Sequence, residues 1–243
     1  MKKTLTLIAA TLCLAATAQA HQAWLEQADD GKAVVLRFGE FAENLREASP
    51  GLLDLFGKPS ATLISAKGES PLAVTKTAAG FALSAGAGKG QSIAAEDPAF
   101  PLRTFKQGDK EINSWIWPGA RYVTSLAAQA PKLALDVVPT GQAGEFQVVL
   151  KGQALPKAKV VIAVQSGWSK EAHADEQGKV RFDLPWKGQY VIEASHIDRN
   201  PGERPGAAGP EKYDGINYVT TLSFVKADGA APFPAGPAAA PSK

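Results

Sequence analysis

Glu145-Phe146-Gln147-Val148-Val149-Leu150 and Lys179-Val180-Arg181-Phe182-Asp183-Leu184 decide the fold class. In the first, Phe146, Val148 and Leu150 recur at every second position; in the second, Val180, Phe182 and Leu184 do the same. A period of two places each set on one face of an extended strand. The second stretch follows Asp175-Glu176-Gln177-Gly178, a turn sequence, and is closed by Pro185. The same pattern of short apolar runs broken by Gly, Pro, Asp and Asn extends in both directions. Strands are expected at residues 33–38, 61–65, 72–77 and 121–127, then at 133–138, 146–150, 160–164, 179–183, 190–194 and 218–224. So many short strands predict an all-β chain built as two β-sandwich halves of Ig-like or Greek-key type. One short helix is expected at 50–56, with Ser49 as cap, Pro50 in its first position and Gly57 as its stop. Residues 84–90 read as a flexible Ala/Gly loop.

The first twenty residues read differently. Lys2 and Lys3, an apolar run from Leu5 to Ala16 and the small-x-small sequence Ala18-Gln19-Ala20 predict a signal peptide cleaved after Ala20. The run is shorter than the roughly 20 residues that span a bilayer, and no later stretch qualifies, so no membrane insertion is expected after cleavage. The expected units are therefore 1–20 (signal), 21–130 (first β domain), 131–226 (second β domain) and 227–243 (an Ala/Pro/Gly tail expected to be disordered).

Cleavage changes the available chemistry. The only cysteine, Cys13, and the only methionine, Met1, leave with the signal, so no disulfide, thiolate or thioether is left. Loss of Lys2 and Lys3 takes the charge balance from 26 basic and 24 acidic side chains to 24 of each. A neutral balance gives no electrostatic case for nucleic acid. The chain also has no phosphate-binding Gly-rich motif, no His-Glu-x-x-His and no Gly-x-Ser-x-Gly elbow, so hydrolytic catalysis is not expected. Trp24, Trp115, Trp117, Trp168 and Trp186 read as core or rim residues of sheets, with a sugar-binding platform as the alternative.

The candidate site rests on histidines. His21 becomes the first residue after cleavage, and its α-amine and Nδ1 can then close a six-membered chelate ring on one metal ion. The amine's pKa, about 8, lets a cation displace its proton readily. His196 follows Tyr190, Ile192 and Ala194 at a period of two, and Asp198 falls on the same side, so the two can share a cation. Glu40, after Gly39 at a strand end, is a possible oxygen donor, although Glu26, Glu40 and Glu43 also read as solvated charges. His173, in a polar run, is expected to be exposed and inert.

His21-Gln22-Ala23-Trp24-Leu25-Glu26, the run from Ala174 to Phe182, Leu184-Pro185 with Gly188, Ala194-Ser195-His196 and Tyr218 to Phe224 together resemble a known family. Its members are periplasmic domain-of-unknown-function proteins commonly labelled as periplasmic components of cobalt or nickel uptake systems. The resemblance implies a periplasmic two-part β-sandwich that handles a transition metal beside a transporter or outer-membrane receptor. It carries over His21 and His196, but not His173. Without thiolate or thioether, nitrogen-rich donors suit Ni(II), Co(II), Cu(II) or Zn(II). The expectation is a non-enzymatic binding or delivery protein for a divalent metal (Ni, Co or Cu), with His21, His196, Asp198 and Glu40 as ligands. The alternatives are a metal-free sandwich module that binds protein or glycan, and a copper monooxygenase with a histidine brace.

Overall fold

In the computed structural model, residues 21–28, 31–206 and 208–242 are described, so the expected signal peptide lies outside them. The protein is an all-β sandwich in three layers.

The first sheet runs Gln22–Gln27, Val34–Glu40, Gly80–Leu83, Val74–Thr77, with Leu45–Arg46 paired to Val34–Glu40. The central sheet has nine strands. Eight follow the order Ser169–His173, Lys159–Val164, Gly188–Asp198, Gly215–Lys226, Lys110–Val123, Ser92–Glu96, Ser60–Ser65, Gly68–Leu72, and Leu102–Gln107 pairs with Lys110–Val123. The third sheet contains Leu135–Pro139, Glu145–Leu150, Gln153–Ala154 and Lys179–Arg181. A two-stranded ribbon, Gly202–Gly206 with Gly209–Tyr213, forms a separate sheet held against Lys110–Val123 by Tyr213 on the Trp115 ring at 5.2 Å and by the buried Arg204, which donates to the Phe100 carbonyl.

Strand alternation explains the layering. On Lys110–Val123, Ala120 and Tyr122 enter one core with Leu25, Leu36 and Phe56, whereas Val123 enters the other with Phe146, Ile192 and Leu222. The first sheet thus covers one face of the central sheet and the third sheet covers the other. Burying each large apolar side chain contributes about 1.5–3 kcal/mol. Tyr190 and Phe224 are both buried and stack at 5.3 Å. A smaller cluster of Trp24 and Phe41 against Ala163 and Val191 ties the first sheet to the central strands, and Thr221 Oγ1 donates to the Ala23 carbonyl at 2.7 Å.

The central sheet takes strands from both sides of residues 130–131. Its middle pair, Lys110–Val123 with Gly215–Lys226, is parallel and runs from Ser114↔Gly215 to Tyr122↔Ser223. The two cores therefore share one layer.

Two local expectations change. The helix expected at 50–56 is only a four-residue 3-10 turn, Leu52–Leu55. Ser49 Oγ donates to the Asp54 carboxylate, as does the Gly51 N–H, so local polar groups close a tight turn where an α-helix would need more length. In the 84–90 loop, Ala87 is buried, and its N–H and C=O are both bonded by the Gln27 side chain.

Residues 227–242 run back across the molecule. Ala230 bridges to Trp186, Phe233 meets the Trp186 ring at 6.3 Å, Gly236 accepts from Asn44 Nδ2 at 2.8 Å, and Ala239 bridges to Leu45.

Candidate functional site

Antiparallel pairing builds the site. Gln22 faces Gly39 across the first two strands, which sets His21 opposite Glu40. Gly39 is required here: its φ is +143°, and a Cβ would come within 2.3 Å of the Leu45 carbonyl oxygen. The chain then turns back through Leu45–Arg46, which brings Glu47 beneath the same imidazole.

The His21 ring lies between two carboxylates. Its Nε2 is 2.6 Å from Glu47 Oε1, and its Nδ1 is 3.5 Å from Glu40 Oε1. The ring rests on Phe38 at 5.3 Å between centroids. The Glu47 side chain is fully buried. Ser242 donates to it twice, from its backbone N–H and from its hydroxyl, both at 2.8 Å. Burial pushes the Glu47 carboxyl up, but the hydrogen bonds from His21 and Ser242 outweigh it and hold the pKa below the usual value.

An ionised carboxylate only accepts, so Nε2 carries the hydrogen. In the neutral ring Nδ1 is then the nitrogen with a free lone pair, and it faces Glu40. Metal–donor distances of about 2.0–2.2 Å put neighbouring donors about 3–3.5 Å apart. The Nδ1–Glu40 spacing fits two donors of one ion. Glu47 lies on the other side of the ring and serves as the carboxylate that orients it. Among the described residues, no three His, Cys, Asp or Glu side chains form a complete metal cage.

Glu40 also opens onto a cleft of about 390 Å³ between the first sheet and the central sheet, lined in part by Gln22, Lys159, Glu171, Glu193 and Ser195. Burial and the neighbouring Glu40 charge push the Glu193 carboxyl up to about 7, against the pull of Lys159. Sequence reading passes over Glu193, which looks like an outward-facing strand position between Ile192 and Ala194.

His196 and Asp198 do not join this site. Glu193 and Ser195 face the Glu40 cleft, so alternation turns His196 and Asp198 to the opposite face of the central sheet. There His196 stands opposite Tyr218 on the neighbouring strand. Asp198 accepts from the Asn200 N–H at 3.1 Å and from Lys151 Nζ at 3.2 Å, and these contacts hold its carboxyl below the usual range. Tyr190, Ile192 and Ala194 do share one face, but that face belongs to the other core. His173 is exposed on Ser169–His173, across from Lys159. Glu26 is not a free surface charge: Trp24 Nε1, Arg37 and Arg46 all donate to it.

The sequence matches the family described as domain of unknown function DUF4198 over residues 18–198. The chain belongs to the DUF4198 family. The matched stretch includes His21, Glu40, Glu47 and Glu193, and it ends at Asp198, before the Gly215–Lys226 strand. Neither a curated protein nor a solved structure matches the chain.

Proposed function

We propose that this DUF4198 protein is a periplasmic binding or delivery protein for a divalent transition metal, nickel, cobalt or copper, linked to metal uptake. Export and cleavage after Ala20 free the His21 amine. The amine and His21 Nδ1 then chelate the ion, and Glu40 adds an oxygen. The observation that carries this reading is the two-sided hold on His21: Glu47 fixes the hydrogen on Nε2, while Nδ1 faces Glu40 at 3.5 Å. A donor set of nitrogen and oxygen without sulfur fits Ni(II), Co(II) and Cu(II). The role is binding and hand-over to an uptake partner, with no catalytic step.

The test is calorimetric titration of mature protein beginning at His21 with Ni(II) and Cu(II). One ion should bind, and an added alanine before His21 should weaken binding more than about ten-fold, or about 1.4 kcal/mol, because the amine becomes an amide. His196→Ala should leave the affinity unchanged. Equal binding by the native and extended proteins would overturn the reading.

A further inference from the structure

The face of the central sheet that the first sheet covers continues past it, uncovered, at the far end of Lys110–Val123. There Arg103 and Phe105 of Leu102–Gln107, Ile112 and Ile116 of Lys110–Val123, Ile197 of Gly188–Asp198 and Arg199 just after it line an open groove of about 610 Å³. Register places them on one face: Arg103 pairs with Ser114, Phe105 with Ile112 and Asn217 with Ile197. Phe105 and Ile197 are 46% and 55% exposed, among the largest apolar surfaces the folded body presents.

The charges around the groove are uneven. Lys110 is paired with Asp214, whose carboxylate also takes the Asn113 N–H. Arg103 and Arg199 have no acidic partner among the described residues, so two guanidinium groups flank the apolar floor. Among the described residues Leu102–Gln107 pairs only with Lys110–Val123, on one of its two edges.

We propose that this groove docks an extended acidic segment of a partner protein, its carboxylates on Arg103 and Arg199 and its apolar side chains on Phe105, Ile112 and Ile197. Charge complementarity selects this occupant. A second copy of the chain joined through the same face would set arginines against arginines. A lipid surface is a poorer fit, because the feature is a groove and carries two free cations where polybasic lipid sites use about four to eight. The surface does not depend on metal binding at His21. It does lie close to that site: Ser195 lines the Glu40 cleft and Ile197 lines the groove, two residues and about 7 Å apart along one strand.

The experiment uses metal-free mature protein in chelator and a short capped peptide, Glu-Ser-Val-Ser-Val-Ser-Glu, whose alternate positions turn both glutamates and both valines to one face. Binding is followed by calorimetry and by backbone amide shifts. Saturable, salt-sensitive binding is expected, with shifts centred on residues 103–116 and 197–199. The double variant Arg103→Glu with Arg199→Glu should lose about ten-fold or more in affinity, and Phe105→Ser should weaken binding without charge reversal. A peptide with lysine in place of glutamate should not bind. Shift mapping on the unaltered protein decides the matter if a variant misfolds. Equal binding of both peptides, shifts elsewhere, or unchanged affinity in the double variant would overturn the proposal. So would a protein that ignores the peptide and binds vesicles of phosphatidylethanolamine and phosphatidylglycerol through the same arginines.

Discussion

Replacing Asp136 by asparagine tests the joint between the two cores. Arg121 and Asp136 are both fully buried, one on the shared central strand and the other on the third sheet. The Asp136 carboxylate accepts from Arg121 Nε at 2.9 Å and Nη2 at 2.5 Å, and from the backbone N–H groups of Lys132 at 2.7 Å and Leu133 at 3.2 Å. Asparagine keeps the volume, but only its carbonyl oxygen can accept, so its amide group meets donors. The guanidinium, whose Nη1 already has no hydrogen-bond partner among the described residues, is left as an uncompensated buried charge. Breaking one side of such a pair costs about 3–5 kcal/mol. In a chain of this size each kcal/mol moves Tm by about 2–4 °C, so Tm should fall by about 6–20 °C. Thermal unfolding followed by tryptophan fluorescence measures it. The double variant Arg121→Met with Asp136→Leu removes both charges and should recover most of the loss. A Tm within about 2 °C of the parent for Asp136→Asn would refute the reasoning, since it would mean the pair is solvated.

Three further outcomes are expected. The Glu193 carboxyl titrates near 7 in the folded protein against an ordinary 4.5, so its contribution is complete below about pH 4.5 and is lost as pH rises through 7. Glu193→Gln should therefore gain stability relative to the parent between pH 5 and pH 8, by up to about 3 kcal/mol before allowance for its partial exposure; urea midpoints that move in parallel would contradict this. Glu47→Gln should lower nickel affinity about 10–100-fold by releasing the imidazole, as read by calorimetry, and unchanged affinity would remove Glu47 from the site. Gly39→Ala should cost about 1–3 kcal/mol in chemical denaturation, because its Cβ meets the Leu45 carbonyl; a neutral result would mean the turn relaxes freely.

Much of the fold was legible where one face of a strand is buried and the other is wet. Phe146 and Val148 alternate with polar residues, and the strand lies where the period places it. Reading failed where that contrast is absent. Trp24 and Leu25 are both fully buried, so Gln22–Gln27 shows no alternation, and Ser92–Glu96 hides behind alanines. Leu102–Gln107 is almost wholly exposed and has no apolar face to announce it. Of the candidate site, the sequence singles out His21 and Glu40, which register sets opposite each other, and His196 and Asp198, which lie on the other face of the central sheet. Glu47 was missed because its sequence, Arg46-Glu47-Ala48-Ser49, looks like any polar turn. Its burial comes partly from Ser242, 195 positions away. No local pattern encodes a contact made at that distance.

The parallel pair at the centre of the molecule also bears on how the chain folds. Ser114 meets Gly215, and 215 − 114 places them 101 residues apart. Pairings over such separations must close a long loop before any contact rewards it, and folds dominated by them form in about milliseconds to seconds. Until the Gly215–Lys226 strand is made, the strand shared by both cores is paired on one side only, and Ala23 lacks the threonine that holds it. A growing chain thus has no comfortable resting point at residue 130. Any version of the chain that stops there leaves Ser114–Tyr122 of the central strand unpaired on one side.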